Sequence, residues 1–159
     1  MLIKELITSA QELIQRSGCS TRVATQEEIC EINEKLGKEL PSWLVELMTT
    51  IPICESRLLI PIEDEDYNIE IDFLSPKLII EESTLAVPGC AVLNSGYICI
   101  GLVINLSNPI AINIDEGCNP TIYVLDHDYG EETDLIIENR EPLAMGLSEL
   151  FTMTLIEQR

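Results

Sequence analysis

The chain has 159 residues, 46% of them apolar, and carries nine basic against 28 acidic side chains, a formal charge of −19. That length fits one domain around a single core, and with two Phe, four Tyr and one Trp the core must consist mostly of Ile, Leu and Val. A field of this sign repels nucleic acid and anionic lipid and attracts basic partners, which excludes nucleic acid and membrane as expected partners.

The N-terminal third reads as helical. Leu2, Ile3, Leu6, Ile7, Ala10, Leu13 and Ile14 recur at helical spacing until Ser17-Gly18, where glycine permits the left-handed stop. Thr25-Gln26-Glu27-Glu28 has the form of a capping box, with the Thr25 hydroxyl on a free backbone N–H and Glu28 reaching back to that of Thr25. Ile29, Ile32 and Leu36 then form one apolar stripe, closed by Gly37. Leu40-Pro41 opens a third helix that faces Trp43, Leu44, Leu47, Met48 and Ile51 inward and stops at Pro52.

From Arg57 the period shortens to that of strands. Leu58–Ile62, Asn68–Phe73, Leu78–Glu81, Ala91–Leu93, Tyr97–Ile104, Ile110–Ile114, Thr121–Leu125 and Leu135–Glu138 are short runs bounded by Pro, Gly, Asn or Asp. Ile69, Ile71 and Phe73 alternate with Glu70 and Asp72, giving one buried and one wet face. Glu141-Pro142 opens a closing helix carried by Leu143, Leu147, Leu150, Phe151 and Leu155. Helices, then strands, then a helix predict an α+β fold in which N-terminal helices and a C-terminal helix flank one mainly antiparallel sheet. The expected organisation is a single domain over 1–159, with a helical part at 1–52, the sheet at 57–138 and the closing helix at 141–158.

Ser83 to Ile114 contains no charged residue, long enough to raise the question of a membrane span. Pro88, Asn94-Ser95-Gly96, Asn105, Asn108 and Pro109 punctuate it, so it reads as the centre of a buried sheet, with Asn94-Ser95-Gly96 as a hairpin turn. Six cysteines stand singly among aliphatics with no CxxC. Lys4 and Glu5 interrupt the first apolar stretch, so no secretory signal is read. The expectation is a cytoplasmic protein with reduced core thiols.

The acids concentrate on the strand half. Residues 1–57 hold six bases and nine acids, whereas residues 58–139 hold one base, Lys77, and 16 acids. The dense runs are Glu63-Asp64-Glu65-Asp66, Asp115-Glu116, and Asp126, Asp128, Glu131, Glu132 and Asp134. As catalytic carboxylates they would need a pocket to position them. As turn residues they either keep the protein solvated or frame a contact surface for a basic partner. These eleven residues are the candidate partner-binding site. The sole histidine, His127, stands between Asp126 and Asp128 and reads as an exposed loop residue. Asp126–Gly130 has the outline of a calcium loop but departs at the third ligand position and carries Ile137 where the bidentate Glu belongs. No nucleophile motif, phosphate loop or dinucleotide fingerprint occurs. No catalytic residue, metal, cofactor or small-molecule substrate is therefore expected.

Three stretches together resemble the SUKH superfamily, which includes a yeast cell-wall synthesis regulator and many bacterial immunity proteins. The first is Thr25–Ile29 through Glu34-Lys35-Leu36-Gly37-Lys38-Glu39-Leu40-Pro41, with Leu44 and Leu47. The second is Tyr97–Gly101 with Asn108–Asp115, and the third Thr121–Asp128 with Leu147-Ser148-Glu149-Leu150-Phe151. The resemblance runs from Thr25 to the C-terminus. It departs at Thr49-Thr50-Ile51-Pro52, where relatives often carry Asn-Gly, and at Tyr123, where a tryptophan is common. It implies helices flanking one sheet, and an immunity protein that neutralises a cognate polymorphic toxin, often a basic nuclease-type domain, by occluding it. The alternative it implies is a regulatory or scaffold module like the yeast relative.

Overall fold

The computed structural model describes residues 2–158. Three helices form where the apolar spacing places them: α1 (Leu2–Ser17), α2 (Gln26–Leu36) and α3 (Ser42–Thr50). Leu6, Ala10 and Leu13 of α1, Ile29 and Ile32 of α2, and Leu44, Leu47 and Met48 of α3 are buried. The capping box forms as expected: Thr25 Oγ1 accepts from Glu28 N at 3.1 Å, and Thr25 N donates to Glu28 Oε1 at 2.9 Å. Gly37 closes α2 in the left-handed region, at φ 70°.

Glu28 does a second task. Arg22 donates to both of its carboxylate oxygens at 2.7 Å and also to Glu55 at 2.9 Å, tying the start of α2 to the segment leading into the sheet. The hydrogen bonds from Arg22 hold the Glu28 carboxyl down at about 2, against an opposing contribution from burial. A carboxyl depressed in the folded state stabilises the protein above its ordinary value and loses that contribution as pH falls. Glu28→Gln is therefore expected to lower the urea midpoint at neutral pH, and the gap from the parent should close between about pH 4.5 and 2. A gap that persists at the acid end would place the loss in packing instead.

The sheet contains β1 (Ser56–Pro61), β2 (Asn68–Phe73), β3 (Tyr97–Val103), β4 (Asn108–Asn113), β5 (Ile122–Val124), β6 (Glu141–Ala144) and β7 (Leu155–Ile156). Its order is β6-β5-β4-β3-β2-β1-β7, with every pairing antiparallel. Consecutive strands form a meander, and β7 returns to the far edge beside β1. The remaining helices are α4 (Pro76–Thr84), α5 (Gly89–Val92), α6 (Thr133–Glu138) and α7 (Leu147–Thr152). The fold is thus α+β with helices flanking an antiparallel sheet, as the order of patterns predicts.

One sheet face supplies Leu58, Ile60, Ile71, Phe73, Ile98, Ile100, Ile110, Ile112 and Ile122 to the main core, where they meet residues of α1, α2, α3, α4 and α7. Phe73 meets Phe151 of α7 edge-on, with centroids 5.8 Å apart. The other face carries a smaller cluster of Tyr97, Cys99 and Ala111 beneath Val92 of α5 and Ile136 of α6. A bulge in β3 lets Gly101 pair with Ile110. A Cβ there would stand 2.6 Å from the Asp72 carbonyl oxygen, so only glycine fits. At the end of α7, Arg16 donates to the carbonyls of Phe151 and Thr154 at 2.7 and 2.8 Å, fastening α7 to α1.

Several expected strands are helical. Leu78–Glu81 lies in α4, Ala91–Leu93 falls at α5 and the short 3-10 turn after it, and Leu135–Glu138 lies in α6. For α4 the start signal is local: Ser75 Oγ accepts from Leu78 N at 3.3 Å and Pro76 occupies the first turn. Asn94-Ser95-Gly96 is no hairpin turn; Leu93–Ser95 is the 3-10 turn that ends α5, and Gly96, at φ 95°, leads into β3. The true hairpin between β3 and β4 turns at 104–107, with Ser107 at φ 56°. The closing helix at 141–158 is also corrected. Only Leu147–Thr152 is helical, because Glu141–Ala144 pairs with β5 and Leu155–Ile156 pairs with β1.

All six cysteines are free. Burial pushes the Cys54 thiol up to about 11 and the Cys99 thiol higher still, as suits core thiols, whereas Cys30 is exposed. Among the described residues no helix is long and apolar enough to cross a membrane; the charge-free stretch is divided among the end of α4, α5, β3 and β4.

Candidate protein-docking surface

An antiparallel meander delivers its turns alternately to two ends of the sheet. Pro61 pairs with Asn68, Val103 with Asn108 and Val124 with Glu141, so the turns at 62–67 and 104–107 and the loop after β5 share one end. Two hydrogen bonds fasten them there. Glu70 N donates to Asn105 Oδ1 at 2.9 Å, and His127 N donates to Asn108 Oδ1 at 3.1 Å.

Glu63, Asp64, Glu65 and Asp66 therefore lie at the same end of the sheet as Asp126 and Asp128. Glu131, Glu132 and Asp134 continue from that end into α6 over the outer face. Asp115 and Glu116 do not join them. They occupy the 3-10 turn after β4, at the opposite end, where Tyr123 Oη approaches Glu116 Oε1 at 3.5 Å. The eleven acids thus divide into nine associated with one end and two with the other.

The shared end has two further features that the acidic pattern alone does not reveal. Tyr67, between Asp66 and β2, is 56% exposed, and Leu106 at the neighbouring hairpin tip is 58% exposed. An exposed tyrosine is a residue type enriched at interface centres, with charges at the rim, and Leu106 sets an exposed apolar side chain on the neighbouring turn. Their signal in the sequence is an apolar residue inside a polar turn.

Among the described residues, only His127, whose Nε2 lies 3.3 Å from Asp128 Oδ1, stands as an ion-pair partner for the acids at this end. Arg22 is committed to Glu28 and Glu55, Arg57 to Asp72 and Glu70, and Lys77 faces Glu81. Among the described residues none of Glu63, Asp64, Glu65, Asp66, Asp126, Glu131, Glu132 or Asp134 has an ion-pair partner. Asp126 Oδ1 accepts from Asp128 N at 2.9 Å, and this tight turn projects the Asp128 carboxylate outward.

A helix-flanked antiparallel sheet whose turns gather acids and an exposed tyrosine at one end places the chain among α+β proteins. The chain belongs to the SMI1 / KNR4 family (SUKH-1), whose profile matches residues 23–148. That span runs from the segment before α2 to the first turn of α7. It leaves out α1 and β7, which pack on one another through Ile156 N donating to Ser17 Oγ at 2.9 Å. No curated protein matches the chain.

Proposed function

We propose that this protein is an immunity protein, which binds a cognate toxin domain in the cytoplasm and blocks it by occlusion. The observation that carries the reading is the gathering of two acidic turns, with exposed Tyr67 and Leu106, at one end of the sheet. Family membership supports it, since the resemblance implies proteins of this kind.

The chemistry of the surface favours a basic partner of the nuclease type. An enzyme that works on nucleic acid presents a positive groove to phosphates, and a negative surface is attracted to that groove and excludes substrate from it. A specific interface needs roughly 800 Å² on each partner, an extent that adjacent hairpin tips and the loop after β5 can frame. Tyr67 and Leu106 would then supply desolvated contacts, while the acids set encounter rate and orientation. The proposed mechanism uses no bond-making step.

The test is co-expression with a toxin domain encoded beside this gene. The proposal expects a stoichiometric complex on gel filtration, survival of the host, and inhibition of the purified toxin in proportion to the protein added. A toxin that remains fully active at saturating protein contradicts it. A scaffold module would leave every neighbouring gene product unbound.

A further inference from the structure

The loop after β5 has a chemical feature that an acidic contact surface does not require. We propose that Asp126, His127 and Asp128 form a binding site for a borderline divalent transition-metal ion, with zinc the best fit. One potential ligand atom from each residue lies within 4.8 Å of the other two.

The first support is the orientation of the imidazole. His127 Nδ1 lies 2.5 Å from Asn108 Oδ1, and an amide oxygen only accepts, so Nδ1 carries the proton. Asn108 is a β4 side chain with 9% exposure that also accepts from His127 N, so the ring is held from the body of the sheet. In the neutral ring this fixes the lone pair on Nε2. That lone pair faces Asp128 Oδ1 at 3.3 Å, and two acceptors at this distance need a positive centre between them. Either a second proton or a metal ion supplies it.

The second support is the separation itself. Bonds of 2.0–2.1 Å in a tetrahedral zinc site place neighbouring ligand atoms about 3.3 Å apart. The observed Nε2–Oδ1 distance matches one edge of such a site, and the separations to Asp126 lie within 4.8 Å. A histidine that ligates through Nε2 while donating Nδ1–H to an oxygen is also the usual outer-shell arrangement, since it fixes the tautomer and raises ligand basicity.

The third support is the neighbourhood. Asp126 Oδ1 accepts from Asp128 N, which holds the Asp126 carboxylate in place beside the other two candidate ligands. The triad borders an open cleft of about 410 Å³ to which Tyr129, Asn139 and Glu141 also contribute. Three protein ligands with solvent at the fourth position is the pattern of an open zinc site. The imidazole favours zinc, copper or nickel over magnesium and calcium, which prefer six or more oxygens. The site shares Asp126 and Asp128 with the proposed docking surface, and its test reads zinc binding without any toxin present.

The experiment is calorimetric titration of zinc chloride into tag-free protein carrying Cys30→Ser, which removes the exposed thiol, with ¹⁵N spectra of the His127 imidazole recorded alongside. The expected result is one zinc ion per chain and a shifted Nε2 resonance. His127→Ala should weaken binding by about ten-fold or more, and Glu31→Gln with Glu34→Gln on α2 should leave it unchanged. Three results would overturn the proposal. They are no saturable binding, equal affinity in the His127→Ala variant, and an imidazole already protonated on both nitrogens at neutral pH that zinc does not perturb. Circular dichroism of each variant separates loss of the site from loss of the fold.

Discussion

Replacing Phe73 with alanine is expected to destabilise the protein by about 3–5 kcal/mol, the range for removing a fully buried aromatic side chain. Phe73 ends β2 with no exposed surface. Its register partners are Ser56 on β1 and Gly101 on β3, and its ring meets Phe151 edge-on. Gly101 has no side chain to collapse into the space, and a Cβ there would collide with the Asp72 carbonyl oxygen, so the cavity stays open. Set against a typical total of 5–15 kcal/mol, that loss leaves a marginal fold. Urea unfolding should show a lower midpoint with an unchanged slope, and Phe73→Leu should retain most of the stability. A loss below about 1 kcal/mol for the alanine variant would contradict the placement of Phe73 at the junction of sheet and α7.

The parts of the fold legible from the residues are those with a local cause. The cap at Thr25, the stop at Gly37 and the apolar spacing of α1 to α3 are decided within one or two turns of chain, and β2 shows its two faces by alternation. The misread segments lack such a period. Leu78-Ile79-Ile80 is an unbroken apolar run, which fits a buried strand or a buried helix equally. The deciding evidence, Ser75-Pro76, lay just outside it. The helices α5 and α6 have four and six residues, too few for a helical period to declare itself. At the C-terminus Leu147, Leu150 and Phe151 lie in α7, whereas Leu143 and Leu155 share their helical spacing by coincidence and lie in strands. Pairing of Ala144 with Ile122 and of Ile156 with Leu58 is a tertiary choice that no local pattern encodes.

The candidate surface divides in the same way. The acidic turns were visible as clusters, because acids in polar turns stand out against aliphatic strands. That Glu63–Asp66 and the loop after β5 share one end, while Asp115-Glu116 lies at the other, depends on strand order and register. The exposure of Tyr67 and Leu106 depends on the same geometry. The pairing of His127 with Asn108, 19 residues away along the chain, was equally out of reach, since it joins a loop to the strand two positions earlier in the meander.

The second large effect concerns recognition. Reversing Asp64, Asp66, Asp128 and Glu132 to lysine should slow association with a basic toxin domain by about ten-fold or more at low salt. It should also flatten the dependence of the rate on ionic strength, because rim charges act mainly on encounter. The four residues come from the two acidic segments that meet at one end of the sheet, and among the described residues none of Asp64, Asp66 or Glu132 has an ion pair to lose. Reversing Glu27, Glu31, Glu34 and Glu39, all exposed on or just after α2, changes the net charge by the same amount at a distant surface. The decisive measurement is stopped-flow association of these two variants with the toxin domain across a range of salt, after circular dichroism has shown both to be folded. The account predicts that the turn variant loses most of the rate and its salt dependence while the helix variant stays close to the parent. Equal slowing by the two variants, or greater slowing by the helix variant, would contradict it and leave the acidic turns as solvated surface.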